Sequence, residues 1–204
     1  MVYELIHQID INSTRINKIV GVSITKNISS FTNTAVITIP KRLKLGNEDL
    51  FGDFDSFVFR KGQVVSIQLG YRMGTNDTYS QIFSGFISNI KMMDSTVDIE
   101  CEDYMFFLKK TKFNFSAQSI SLQSLGQKII NQVNNLLPTG VSKINIQTNG
   151  IGLTLSNFKA ENTTGVDILD LLKTSYTLES FFIDNQLNIG INYGSISTRQ
   201  QSNV

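Results

Sequence analysis

Tryptophan is missing from this 204-residue chain, and cysteine, histidine and proline are scarce, with one Cys, one His and two Pro. A single cysteine, Cys101, excludes an intrachain disulfide and a zinc site built from several thiolates. It falls on the apolar phase of a strand, where a small buried side chain is the expected role. The lone histidine, His7, lies in a strand-like stretch with no nucleophile motif beside it, which argues against imidazole-driven catalysis. With 18 Lys+Arg against 17 Asp+Glu the formal net charge is +1, so no global basic field exists for nucleic acid or an anionic membrane. No window approaches the ~20 apolar residues needed to cross a bilayer. The first 20 residues also lack the basic start and continuous apolar run of a secretory signal. A protein made in a cytoplasm, without a membrane span, is the expectation.

Recognisable site motifs are equally sparse. Gly70, Gly74 and Gly85 do not form GxGxxG, and no GxxxxGK[ST] phosphate loop occurs. No catalytic residue, cofactor or metal is expected. The carboxylates Asp98, Glu100, Glu102 and Asp103 gather in sequence. Asp98 and Glu100, however, share the strand face opposite Ile99 and Cys101, which predicts a solvated outer surface. Glu102 and Asp103 open a short helix, where acidic side chains suit the positive end of the helix dipole. The aromatic residues Phe83, Phe86, Tyr104, Phe106 and Phe107 suggest a base-stacking platform. No Lys or Arg interleaves with them, and Phe83 and Phe86 point to opposite faces, so core packing is the preferred reading.

What the chain does have is period-2 patterning. Residues 63–110 carry Val65, Ile67 and Leu69, then Ile82, Phe86 and Ile90, then Val97, Ile99 and Cys101. Gly and Asn/Asp clusters interrupt the alternation, as in an antiparallel meander with one buried face. Earlier strands are predicted at Leu5, Ile9 and Ile11, over residues 16–24 with an interruption at Gly21, and over 35–39, stopped by Pro40. Residues 41–59 lack a clean period and read as a loop lying over the barrel, with a basic cluster at Lys41, Arg42 and Lys44. Met105 and Leu108 face one way on a helical turn that ends the meander.

Residues 113–193 change character. Ser121 caps a predicted helix through Leu122, Leu125, Ile129, Ile130 and Val133. A strand at 143–147 follows, then a helix over 163–176 in which Thr164 and Asp167 form a variant capping box. Two strands around an Asp184-Asn185 turn complete the unit. The predicted class is α+β, mainly β: a small antiparallel tube-like β-barrel (1–112), an α/β module of helix, strand, helix and hairpin (113–194), and a frayed polar tail (195–204).

Several of these segments together resemble a known family. They are Phe83-x-Gly85-Phe86-Ile87-x-x-Ile90, Val97-x-Ile99-x-Cys101-Glu102-Asp103 and Leu108-Lys109-Lys110, preceded by Ile37-x-Ile39-Pro40 and by Lys61-Gly62-Gln63-Val64 with Leu69-Gly70-Tyr71. In that order they resemble the first tube-like domain of phage baseplate hub proteins, the group of late-control protein D and the hub part of type VI secretion spikes. Val166-Asp167-Ile168-Leu169 through Tyr176, and Phe181 through Gly190, resemble the module inserted in the same hubs. The resemblance implies a structural protein of a phage tail or related contractile injection apparatus. It would act as a baseplate hub or tube-initiating ring, a trimer or hexameric ring of itself that joins the tail tube to the spike. DNA or an effector would pass through its lumen without specific binding. It also implies synthesis in a bacterial cytoplasm and a place in the virion tail or injection apparatus. The family carries a second tube-like domain after the inserted module, and this chain stops at Val204, where that domain is expected.

On this reading the candidate interface residues are Val65, Ile67 and Leu69 on one strand and Phe83, Phe86 and Ile90 on the next. Lys41, Arg42 and Lys44 would meet an adjacent ring. Two other classes remain open from the residues alone: a single-stranded nucleic-acid-binding barrel using Phe and Tyr stacking, and a glycan-binding module of a tail tip.

Overall fold

Alternation of apolar side chains assembles the first half of the chain into one antiparallel sheet. The computed structural model describes residues 4–26, 31–45, 48–49, 58–73, 75–149 and 151–191, with backbone only at 44, 45, 48 and 49. In chain order the strands are β1 (Glu4–Ile11), β2 (Thr14–Ile16), β3 (Gly21–Thr25), β4 (Thr34–Pro40), the short pair β5 (Lys44–Leu45) and β6 (Glu48–Asp49), β7 (Val64–Met73), β8 (Asn76–Met92) and β9 (Thr96–Glu102). Seven of them form a sheet in the order β2-β1-β7-β8-β9-β4-β3. β4 shows the pattern at its cleanest: Ala35, Ile37 and Ile39 are buried and their neighbours half-buried. Its register sets Ala35, Ile37 and Ile39 opposite Cys101, Ile99 and Val97 of β9.

The mainly-β, α+β class read from the sequence holds, but the sheet does not close into a barrel within one chain. Among the described residues no ladder joins β2 to β3. The cause lies in the stretch read as one strand over 16–24. Asn12 (φ 48°) and Ser13 (φ 69°) make a tight left-handed turn that folds β2 back on β1. The chain leaves the ladder after Ile16, and β3 begins at Gly21 on the opposite edge, paired with β4. One predicted strand is therefore two, at the two ends of the sheet.

β8 is the longest strand, with 17 residues, and it changes partner along its length. Residues 76–86 pair with β7, and residues 86–92 pair with β9. The switch falls at Gly85, where a methyl group would run into the carbonyl oxygen of Glu102. Only glycine permits that approach. Register irregularities flank it, between Gln81 and Phe83 and between Ile87 and Asn89. The strand bend expected at Gly85 is present, with the bulges beside the glycine rather than on it.

The second half contains α1 (Met105–Lys110), β10 (Lys112–Ser121), α2 (Leu122–Asn134), β11 (Asn145–Gln147), β12 (Thr154–Thr164), α3 (Gly165–Tyr176), β13 (Glu179–Ile183) and β14 (Gln186–Gly190). Both predicted caps form. The Ser121 hydroxyl accepts from the Ser124 amide at 3.1 Å. The Thr164 hydroxyl accepts from the Asp167 amide at 3.1 Å, and the Asp167 carboxylate accepts from the Thr164 amide at 2.9 Å. Thr177, left-handed at φ 58°, ends α3. The hairpin turn at Asp184-Asn185 is present, and β11 runs parallel to β14 beside it.

Two buried clusters divide the apolar side chains. One fills the inner side of the sheet with Ile9, Ile11, Ile37, Ile67, Phe83, Ile87 and Ile99 among others. The other joins Phe86, Tyr104, Met105 and Leu108 to α2, α3 and β14. Phe83 and Phe86 thus do face opposite ways, each into its own core. At residues 83–87 the sheet is covered on both faces.

Candidate assembly surface

Below that doubly covered stretch the same strands run on past the core. Register makes the geometry explicit. Ile11, Val65 and Gly85 lie abreast, then Ile9, Ile67 and Phe83, all facing the inner core. The next inward rungs are His7, Leu69 and Ser80, then Leu5, Tyr71 and Thr78, then Met73 with Asn76. These outer rungs are exposed: Leu5 is 65% accessible, Tyr71 51% and Met73 46%. We call residues 4–8, 68–73 and 76–81 the arm. Ile6 is its only buried side chain among the described residues.

The two faces of the arm differ in chemistry. On the outward face Arg72 bridges two carboxylates, Asp77 at 2.8 Å and Glu4 at 3.3 Å, and all three sit on one rung. The Asp77 hydrogen bond holds the guanidinium above its usual range, and Arg72 in turn lowers the Asp77 carboxyl. The inward face carries Leu5, Leu69, Tyr71 and Met73 with no Asp, Glu, Lys or Arg. A hollow of about 640 Å³ on this face is lined by Tyr71, Met73, Asn76 and Thr78. The arm's strand edges are also open. β2 pairs with β1 only at residues 9–11, and β9 meets β8 only from Phe86 onward. Among the described residues, neither residues 4–8 of β1 nor 76–81 of β8 has an outer partner strand.

The opposite end of β8 forms a second exposed apolar point. Met92 and Met93, at the turn into β9, are 59% and 49% accessible. The Lys41 ammonium donates to the Met93 carbonyl at 3.4 Å, and the Lys41 amide to the Ser95 carbonyl at 2.9 Å. Arg42 is exposed next to it. The side chain of Lys44 and residues 46–47 and 50–57 of the expected loop lie outside the described residues. Both ends of that loop dip into the inner core through Leu43 and Phe59.

The residues singled out from the sequence therefore separate. Val65, Ile67, Phe83 and Phe86 are buried inside the protomer at 4% accessibility or less. Their side chains are committed to its own cores and cannot contact a second copy without opening them. Leu69 is exposed on the arm, and Ile90 is half-buried. Sequence reasoning missed Leu5, Tyr71, Met73 and the methionine pair. Tyr71 and Met73 continued a legible alternation, but period alone does not report where the core stops.

The polar groups that gather in the sequence are dispersed into local pairs. Asp98 accepts from the Thr38 hydroxyl at 2.7 Å. Glu100 pairs with Lys91 and accepts from Asn89, and the Lys91 contact in the first place lowers its carboxyl. Asp103 is buried between β9 and α1, accepting from the amides of Asn33 at 2.9 Å and Met105 at 3.0 Å. Burial outweighs these bonds and raises its carboxyl to about 6. The Cys101 thiol is pushed up to about 12, by burial first and by the nearby Glu100 second. It is an unreactive core thiol. Among the described residues no three His, Cys, Asp or Glu come together as a metal site, and no helix is long and apolar enough to cross a membrane. The aromatic set packs inward: Phe86 meets Tyr104 edge-on at 5.2 Å and Phe107 at 4.7 Å.

No protein-family model matches the chain. No curated protein matches it either. Solved structures do. The prophage MuSo2 43 kDa tail protein of Shewanella oneidensis aligns over 91% of this chain with a TM-score of 0.60 at 15% identity. The tail protein of Neisseria meningitidis MC58 aligns over 94% with a TM-score of 0.63 at 12% identity. The chain spans about half the length of each, 53% and 52%. It shares their fold over nearly all of its own length.

Proposed function

We propose that this chain is a structural, non-catalytic component of a phage tail or related contractile injection apparatus, working as a baseplate hub or tube-initiating ring between tail tube and spike. The observation that carries this reading is the arm: a three-stranded extension of the main sheet with two open edges, in a chain whose fold is that of two phage and bacterial tail proteins. Open edges are templates for further strands, and pairing with a neighbouring copy would cover them. In this reading residues 1–112 form the tube wall and residues 113–194 the module packed outside it. Copies pair edge to edge into a trimer or hexameric ring whose lumen passes DNA or an effector without specific contacts.

Single-strand binding through aromatic stacking has less support, because Phe86, Tyr104 and Phe106 are buried in the second core. The test is to tag the chain and image purified tails by electron microscopy, together with native mass spectrometry of the protein. A ring of three or six copies at the junction of tube and spike is the expected result. Absence of the chain from intact tails would overturn the reading.

A further inference from the structure

The arm's inward face and the methionine tip are exposed apolar surfaces at the two ends of one strand, β8, and among the described residues nothing covers either. From these surfaces we infer that they meet each other: the arm of one copy docks, head to tail, on the Met92-Met93 turn of the next copy. The inference rests on the ring reading above and names the surfaces through which the ring would close.

Three features select a second copy as the occupant. First, the hollow lined by Tyr71, Met73, Asn76 and Thr78 is apolar and bears no charge, while methionine is the side chain best able to fill an irregular cavity and contact an aromatic ring. Tyrosine and methionine are also among the residues enriched where protein surfaces meet. Second, the charges around the two surfaces are complementary. The arm's outward face holds Glu4 and Asp77 against the single Arg72, whereas at the tip Lys41 and Arg42 outnumber the one acid of the turn, Asp94. Third, an exposed apolar patch of this kind covers roughly a few hundred Å², well short of the ~800 Å² each partner buries in a stable pair. It suits one contact of a larger interface whose remainder is strand-edge pairing. A head-to-tail contact closes into a ring when the rotation between copies allows it.

The test uses the full chain and two variants, Tyr71→Lys on the arm and Met92→Ser/Met93→Ser at the tip, with Gln127→Lys on the exposed face of α2 as control. Sedimentation equilibrium should show the natural chain self-associating. Each variant should associate about tenfold or more weakly, and the control as the natural chain does. Mixing the two variants should restore a dimer, because the intact tip of one fits the intact arm of the other. Circular dichroism and unfolding midpoints check that each variant folds; if Tyr71→Lys does not, Tyr71→Ser takes its place. A natural chain that stays monomeric at its highest soluble concentration overturns the inference. So does a variant that associates like the natural chain, or a mixture that restores nothing. Failure here while the chain is still found in tails leaves the tail reading standing; absence from tails strikes that reading alone.

Discussion

β7 and β8 pass through two environments within a few residues of each other. At Val65, Ile67, Phe83 and Phe86 the sheet is covered on both faces and these side chains are almost inaccessible; at Leu69, Tyr71, Met73 and Thr78 it stands in solvent. The alternation of β7 continues across the boundary, while β8 takes a register slip there between Gln81 and Phe83. The difference lies only in what packs against the strands: α1 and the second-half helices on one side of the covered stretch, β4 and β9 on the other, and neither along the arm. Folding free energy is thus concentrated in the covered stretch, while the arm leaves its apolar surface exposed.

The largest expected effect tests the covered side. Phe86 is 1% accessible and packs on Tyr104, Phe106 and Phe107. Phe86→Ala should destabilise the fold by about 3–5 kcal/mol, through lost transfer energy and the cavity left behind. Urea unfolding should show a lower midpoint at unchanged slope. A loss under about 1 kcal/mol would mean that this ring does not anchor the sheet to the second core.

Asp103 sharpens the same side. Its carboxyl rises from 3.8 to about 6 on folding because burial disfavours the charge. An acid raised in the folded state binds its proton more tightly there, so its contribution is complete below pH 4 and is lost as pH climbs through 6. The loss is about 3 kcal/mol. Asp103→Asn cannot ionise, so the stability of the natural chain relative to this variant should fall by that amount between pH 4 and pH 7. A difference independent of pH would show that the bonds from Asn33 and Met105 offset burial fully.

How far the comparison was legible in the sequence depends on the segment. The inner strands were readable because Val97, Ile99 and Cys101 alternate with polar residues and lie opposite Ile39, Ile37 and Ala35. α2 and α3 were readable from their caps and apolar spacing. The β10–β12 ladder was not predicted. Left-handed Asn157 (φ 51°) and Asn162 (φ 50°) break the alternation of β12, so Leu155, Phe158 and Ala160 fall out of period although all three are buried. The register slips beside Asn162, whose amide donates to the Asn114 side chain at 2.7 Å. Val65, Ile67, Phe83 and Phe86 were placed at an interface because a strand's apolar face looks the same whether its own chain or a neighbour covers it.

A smaller effect is expected at the Thr164 capping box, on the helix whose first residue, Gly165, lies against Leu108 of α1. Thr164→Ala removes the hydroxyl that accepts from Asp167 and should cost about 1 kcal/mol, read as a drop in thermal midpoint. Thr164→Ser keeps the acceptor and should recover most of it. Equal losses in the two variants would put the cost in methyl packing rather than in the cap.

The smallest effect belongs to the arm, and it decides whether the contrast between the two regions is real. Tyr71 contributes exposed surface to the monomer, and surface substitutions of this kind change stability by less than about 0.5 kcal/mol. Tyr71→Ser, measured at a dilution where the protein is monomeric, should therefore unfold at the denaturant concentration of the natural chain. Amide exchange should agree, with residues 76–81 of β8 opening far more readily than 83–87 of the same strand. If Tyr71→Ser instead cost as much as a core truncation, the arm would be part of the folding unit. Its apolar face would then be needed at home and not available to a neighbour.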